Sequence, residues 1–137
     1  MLTCQCACGE TELTIASDPI AQFYCHCHDC RKLHGGMYTA ESVYPADAVK
    51  VTRGEPRVWT LSRTPRHFCG TCGVRLFAHI PSQNLRGVNG LLLPQHELTP
   101  TLHVNCASAV HPVPDGLPHY RTMPTSFGGP SDDLVAW

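Results

Sequence analysis

The chain has 137 residues, a formal net charge of −1 at pH 7, and ten basic residues of which only Arg31 and Lys32 are adjacent. That length suits one domain over residues 1–137 that can bury its own core. The balanced charge excludes the basic surface that a nucleic-acid or anionic-membrane binder needs. No apolar run reaches the roughly 18 residues of a membrane span. We therefore expect neither nucleic acid nor a membrane as a partner.

Short β-strands separated by turns are predicted through most of the chain. Twelve prolines and eleven glycines argue against long helices. One short helical turn is predicted over 30–33, capped by Asp29 and stopped by Gly35-Gly36. The Pro-, Gly- and Ser-rich final third is predicted as loops with mobile last residues. The fold class is therefore mainly β, and the predicted strands are 11–15, 37–44, 49–52 and 57–61 as a hairpin, 74–80, 91–93 and 102–104.

The nine cysteines indicate a metal or catalytic role. The start MLTCQCACGE has no basic or apolar signal-peptide region, so we expect a cytoplasmic protein. An odd cysteine count in such a chain argues against a disulfide framework, although disulfides remain an alternative.

The stretch Cys69-Gly70-Thr71-Cys72-Gly73 is typical of a zinc knuckle, which supplies two ligands of the four that a structural zinc needs. Cys6-Ala7-Cys8-Gly9 carries the same glycine after its second cysteine. We therefore predict a structural zinc site from Cys6, Cys8, Cys69 and Cys72. Cys4 could replace one ligand, because Cys4-Gln5-Cys6 has the same spacing, and two unconnected reduced pairs remain the alternative.

The stretch CHCHDC at 25–30 leaves three further cysteines, Cys25, Cys27 and Cys30. Cys106 is isolated and is interpreted as a small buried apolar residue. Three protein ligands and one open position are typical of catalytic zinc. Three thiolates leave such a zinc a weak Lewis acid, suited to holding a substrate thiolate, so the pattern favours sulfur chemistry over hydrolysis.

Two histidines, His26 and His28, lie among these cysteines. Either could complete a closed site of three cysteines and one histidine, and that alternative stays open. Because neighbours in an extended segment point to opposite sides, we favour both as groups behind the ligands or as proton carriers.

Several motifs together carry a family resemblance. They are Cys6-Ala7-Cys8-Gly9, Cys25-His26-Cys27-His28-Asp29-Cys30-Arg31-Lys32, Gly54 with Trp59, Arg66-His67-Phe68-Cys69-Gly70-Thr71-Cys72-Gly73, Leu76-Phe77 and Asp115-Gly116-Leu117-Pro118. Over roughly residues 3–124 the sequence resembles the glutathione-dependent formaldehyde-activating enzyme family, also called the GFA or centromere-protein-V-like domain.

The resemblance implies a β-rich zinc fold of short antiparallel strands, the Mss-four-like or β-tent fold. It implies two Zn2+ per chain, one structural and one on the central cysteines. The implied activity is that of a carbon–sulfur lyase acting on a small thiol adduct such as S-hydroxymethylglutathione, in either direction. Glutathione or another small thiol is the expected co-substrate, Arg31 and Lys32 could attract its anionic groups, and the protein is expected as a monomer or homodimer.

Two other classes of function remain open. One is a non-catalytic zinc module that binds a protein partner, since a fold does not by itself imply a function. The other is a thiol redox protein using Cys25, Cys27 and Cys30 without metal.

Overall fold

A computed structural model describes residues 1–137 and contains ten strands and one α-helix. The strands are β1 (Leu2–Gln5), β2 (Glu12–Ile15), β3 (Ala21–Cys25), β4 (Thr39–Pro45), β5 (Val49–Arg53), β6 (Arg57–Leu61), β7 (Thr64–Phe68), β8 (Arg75–Ile80), β9 (Leu85–Asn89) and β10 (His103–Val104), and the helix is α1 (His28–His34). The mainly β class with few helices is confirmed. None of the helices is both long and apolar enough to cross a membrane.

The chain forms two compact units, each made from two stretches of sequence. The first unit contains residues 1–21 and 42–98, and the second contains residues 22–41 and 99–137. The expectation of one domain over 1–137 stays a prediction.

The first unit contains an antiparallel sheet in the order β1-β2-β5. Alternate residues of β2 face its core, and Leu13 and Ile15 are fully buried there with Val49 of β5. This is the alternation that the sequence predicts for 11–15. Fully burying an aliphatic side chain of this size stabilises the fold by about 1.5–3 kcal/mol.

A second group of strands in the first unit follows the order β9-β8-β7-β6, with antiparallel pairing throughout. The predicted hairpin of 49–52 with 57–61 is wrong, because β5 pairs with β2 and β6 pairs with β7. The turn between them packs on another segment instead. Gly54 has φ +87°, and a Cβ there would lie 2.7 Å from the carbonyl oxygen of Glu10.

The second unit contains β3, β10 and α1. β10 pairs with β3 in parallel, which places His103 opposite Tyr24 and Val104 opposite Cys25. This pair departs from the antiparallel pattern that the resemblance implies.

The end of the chain is held in the second unit. The amide of Val135 donates to the carbonyl of His119 at 2.8 Å, and the Trp137 ring centroid lies 4.7 Å from that of His119. These contacts anchor Val135 and Trp137 in the second unit, while the expected mobility of the last residues stays a prediction.

The other sequence expectations meet mixed outcomes. The strands at 11–15, 37–44, 49–52, 57–61, 74–80 and 102–104 are confirmed to within two residues. The strand at 91–93 is wrong: residues 90–92 form a 3-10 turn because the Asn89 side chain accepts from the Leu91 amide at 3.1 Å. The helix near 30–33 is confirmed, with its stop at Gly35, but Cys27 and not Asp29 caps it.

Candidate metal centres

The first cluster brings together the four cysteines of the two knuckles in the first unit. The Sγ atoms of Cys6, Cys8, Cys69 and Cys72 all lie within 4.8 Å of one another. The Cys6–Cys8 and Cys8–Cys69 sulfur distances are 3.5 and 3.8 Å. Sulfurs on a tetrahedral zinc, each about 2.3 Å from the ion, are about 3.8 Å apart, so this donor set fits zinc.

Backbone turns at glycine orient these sulfurs. Gly9 and Gly73 have φ +79° and +77°, a region that glycine adopts without strain. Amides turned inward then donate to the sulfurs: Thr11 to Cys6 at 3.3 Å, and Thr71 and Cys72 to Cys69 at 3.4 and 3.5 Å. Amide donors of this kind stabilise a thiolate.

The acidities of neighbouring thiols in this cluster diverge. The Thr11 hydroxyl, with the amides of Cys72 and Thr71, lowers the pKa of Cys69 to about 5. The Glu10 amide lowers the pKa of Cys8, but burial and the neighbouring thiols outweigh it and raise that pKa to about 12. Adjacent thiols thus resist ionising together unless a cation neutralises them, which is what a bound metal does.

Cys4 lies apart from this group. It is buried in β1, and burial raises the pKa of its thiol to about 11. The structure groups Cys6 with Cys8 rather than with Cys4, while the ligand role of each cysteine stays a prediction.

The second cluster joins Cys25, Cys27 and Cys30 in the second unit, with their Sγ atoms within 4.8 Å of one another. Cys25 ends β3, whereas Cys27 caps α1 by accepting from the Cys30 amide at 3.2 Å. The sulfurs of Cys30 and Cys25 are 3.5 Å apart. Hydrogen bonds with Cys27 and Cys30, reinforced by burial, raise the pKa of Cys25 well above its ordinary value, so this cluster also needs a cation to ionise fully.

Asn105 is a further residue at this cluster, and the sequence did not single it out. Its Nδ2 donates to Cys25 Sγ at 3.5 Å. Its backbone is left-handed, with φ 57° and ψ 36°, which asparagine tolerates better than most residues. An asparagine directly after the predicted strand 102–104 was the available signal. Its neighbour Cys106 is buried, and burial raises the pKa of that thiol to about 11, in keeping with a neutral core residue.

The two histidines of CHCHDC lie outside the three-sulfur group. His26 is buried, and its Nε2 is 2.9 Å from Nδ1 of His103. His28 is exposed, and its Nδ1 accepts from Arg31 Nη2 at 2.6 Å. Arg31 also donates to the His26 carbonyl at 3.2 Å, while Lys32 is exposed.

Comparison with known proteins identifies the relationship. The family model described as glutathione-dependent formaldehyde-activating enzyme matches residues 1–108. The chain belongs to this family.

Curated relatives support the assignment. Proteins of Penicillium rubens and Pyrenophora teres f. teres, each named "Putative glutathione-dependent formaldehyde-activating enzyme", are 32% and 31% identical over 92 and 101 residues. These alignments cover 64% and 69% of this chain and 48% and 53% of the relatives. The chain therefore spans about half the length of the curated relatives it matches.

A solved structure shares the fold. The crystal structure of a Rhodobacter sphaeroides protein matches 69% of this chain and 89% of that chain, with a TM-score of 0.58 and 20% identity. At that identity the likeness shows the fold alone.

A third group of ligand-type side chains lies partly beyond the residues that the family model matches. His103, Asp115 and His119 place one ligand atom each within 4.8 Å of the others. The sequence placed His103 in a strand and Asp115 in a family motif but predicted no site there. The four-residue spacing of Asp115 and His119 was the only available signal.

Proposed function

We propose that the chain is a zinc-dependent carbon–sulfur lyase that makes or cleaves a small thiol–aldehyde adduct such as S-hydroxymethylglutathione. One observation carries the proposal: three cysteine sulfurs converge at the CHCHDC segment without a fourth His, Cys, Asp or Glu in the group. A metal held there by three protein ligands keeps a position for a substrate sulfur. The four-cysteine cluster of the first unit would hold the structural zinc.

The reaction that this site would serve is a balanced exchange. In the cleavage direction the carbon–sulfur bond breaks, the sulfur keeps the electron pair, and the adduct hydroxyl loses its proton as the aldehyde carbonyl forms. A bound Zn2+ would supply stabilisation of the thiolate at neutral pH.

The residues of the chain contribute fixed geometry. The strand pairing of β3 and the Asn105 amide hold Cys25, and the Cys30 amide holds Cys27. Hydrogen-bonded ligands keep a cluster preorganised, so less reorganisation is needed when substrate binds.

Charged and basic side chains next to the cluster are the proposed substrate contacts. Arg31 and Lys32 on α1 would attract the carboxylates of a thiol such as glutathione. His28 follows Cys27 directly and is exposed, so it is the proposed carrier for the hydroxyl proton. The position of Arg31 is set by its hydrogen bonds to His28 and to the His26 carbonyl.

The family and the names of its members support glutathione and formaldehyde as the substrates to test first. A cytoplasmic location is part of the proposal, because nine cysteines, an odd number, suit a reducing compartment better than a disulfide framework does.

The metal content and open position are tested with cobalt. We expect two cysteine-bound metal ions per chain in the unmodified protein and one in Cys27→Ser, which keeps an oxygen acceptor to cap α1. Adding glutathione to the cobalt-loaded protein should change the thiolate-to-cobalt absorption bands. Bands indifferent to thiols would indicate the non-catalytic binding module, and one metal with two titratable central thiols would indicate the redox protein.

Catalysis is tested by NMR exchange between free glutathione and its formaldehyde adduct. The unmodified protein should exchange the two faster than buffer alone, and Cys27→Ser should return exchange to the uncatalysed rate. Cys106→Ala, which removes a thiol outside both clusters, should keep the activity. Equal exchange with and without the protein would refute the proposed reaction.

A further inference from the structure

Two imidazoles in the second unit face the two oxygens of one carboxylate. His103 Nε2 lies 2.7 Å from Asp115 Oδ2, and His119 Nε2 lies 3.0 Å from Asp115 Oδ1. The side chains of His103 and His119 are 0% and 5% exposed, whereas that of Asp115 is 31% exposed. The imidazoles are thus inside the fold, and the carboxylate gives the group one side open to solvent.

The backbone builds this arrangement. A parallel β-bridge joins His103 and His119, in which the His103 amide donates to the Pro118 carbonyl and the Tyr120 amide donates to the His103 carbonyl, both at 2.9 Å. Asp115 is fixed by the Leu117 amide, which donates to Oδ1 at 3.1 Å. Residues held by backbone hydrogen bonds keep their side chains in place without a bound ion.

A third histidine, His26, contacts the ring nitrogen of His103 that does not face Asp115. His26 Nε2 lies 2.9 Å from His103 Nδ1, on the side of the ring opposite Asp115. A histidine that binds metal through Nε2 carries its proton on Nδ1 and donates it to an acceptor, and His26 Nε2 is such an acceptor. The Trp137 ring packs on both His119 and His26, with centroid distances of 4.7 and 5.3 Å.

We propose that His103, Asp115 and His119 form a third metal site, which takes a divalent ion of the zinc, cobalt or nickel class. Two imidazoles and one carboxylate are the donors that such borderline ions prefer, in contrast to the all-sulfur donors of the two cysteine clusters. The proposal does not depend on the lyase activity.

Trp137 provides a direct reporter. The chain has two tryptophans, and Trp59 is 57% exposed in the other unit, so Trp59→Phe leaves Trp137 as the only indole. We expect Ni2+ added to Trp59→Phe protein that carries zinc at the two cysteine clusters only to quench Trp137 fluorescence and to saturate at one equivalent. Zinc released into solution is measured in parallel, and it should stay at the level before nickel addition.

Matched variants in the same background decide the assignment. His119→Gln and the isosteric Asp115→Asn should lose the saturable quenching, while His96→Gln, which removes an imidazole that is 81% exposed, should keep it. Circular dichroism establishes that each variant is folded. No saturable quenching in the parent protein, or equal quenching in His119→Gln and His96→Gln, would overturn the site.

Counting the metal ions bound to the unmodified chain tests the site even if a variant does not fold. Native mass spectrometry of the protein titrated with Zn2+ should show a third ion beyond the two of the cysteine clusters. If no more than two Zn2+ ions bound per chain, the site would be overturned, and Asp115 would only hold the two imidazoles by hydrogen bonds.

Discussion

Gly54 occupies a position where a side chain has no room. Its φ is +87°, and a Cβ would lie 2.7 Å from the Glu10 carbonyl oxygen and 2.9 Å from Thr11 Cα. Thr11 is the residue whose amide donates to Cys6 and whose hydroxyl lowers the pKa of Cys69. The glycine therefore secures both the close approach of two segments and the hydrogen bonds at the four-cysteine cluster.

Gly54→Ala should destabilise the protein more than an ordinary glycine replacement. The left-handed conformation alone costs a non-glycine residue about 1–2 kcal/mol, and the backbone clash adds to that cost. Gly128→Ala is the matched control, because Gly128 has φ +81° but no atom within 4 Å of a built Cβ. Urea unfolding measures both free energies, and similar losses in the two variants would contradict the packing argument.

Asn105 combines two roles, a left-handed backbone and an amide that reaches a sulfur. Asn105→Gly keeps the backbone conformation available and removes only the amide. We expect this variant to fold and to lose metal from the CHCHDC cluster more readily, by roughly 10-fold in affinity, since hydrogen bonds behind a ligand contribute on that order. Competition with a chromophoric chelator measures the affinity, and equal chelator curves for the variant and the parent would count against the Asn105 contact.

The cysteine groups could be predicted from the sequence, but their surroundings could not. Cys8 and Cys72 are each followed by a glycine, a pattern typical of a zinc knuckle, so the pairing of their two motifs could be predicted without coordinates. The contacts of Thr11 and Asn105 depend on a strand register and a turn conformation. A single threonine or asparagine in a sequence gives no sign of either.

Among the elements, the antiparallel sheet β1-β2-β5 is joined at one end by Glu12. Its carboxylate accepts from Thr52 at 2.9 Å, Arg53 at 3.0 Å and Gln5 at 3.3 Å, which ties β2 to both neighbouring strands. Hydrogen bonds from Thr52 and Gln5 and the charge of Arg53 lower the pKa of Glu12.

The stabilisation from Glu12 should therefore be lost in acid. A carboxyl whose folded pKa is depressed contributes its full stability above the unfolded pKa, about 4.3 for glutamate, and loses it as the pH falls through the folded pKa. The stability difference between the parent protein and Glu12→Gln should be constant above about pH 5 and shrink below about pH 4. Because acid removes metal from both proteins, the difference isolates Glu12, and a pH-independent difference would contradict this reading.

Strands were predictable where they alternate and unpredictable where they do not. β2 alternates clearly, and β6 and β8 are rich in β-forming residues. The missed strands include β7, which contains Pro65, and β9, which contains Gly87, two residues with low strand propensity. The pairing of strands was less predictable than the strands themselves. The turn sequence at 53–56 predicts a hairpin of β5 with β6. In the structure Gly54 packs on Glu10, β5 pairs with β2, and β6 pairs with β7.

Across the whole molecule, the long-range contacts at the two kinds of candidate metal site differ in whether the sequence predicts them. Cys8 and Cys69 are 61 positions apart, and metal chemistry alone predicted that they meet. His103 of β10 and His119 meet through a backbone bridge, and the loop that contains His119 carries no periodic pattern. Their partnership follows from the path of the chain, which only the structure describes.

The four-cysteine cluster should determine whether the first unit stays folded. It links residues 61 positions apart, and a metal that binds only the folded arrangement adds its binding free energy to stability. Cys4 and Cys6 are equally buried, each 5% exposed, and are two residues apart, but only Cys6 belongs to the cluster. Cys6→Ser should therefore lose one metal per chain and unfold several kelvin below Cys4→Ser, which carries the same change of sulfur to oxygen. Metal analysis and differential scanning calorimetry measure both effects. If Cys4→Ser lost the metal and Cys6→Ser kept it, Cys4 would be the amino-terminal ligand.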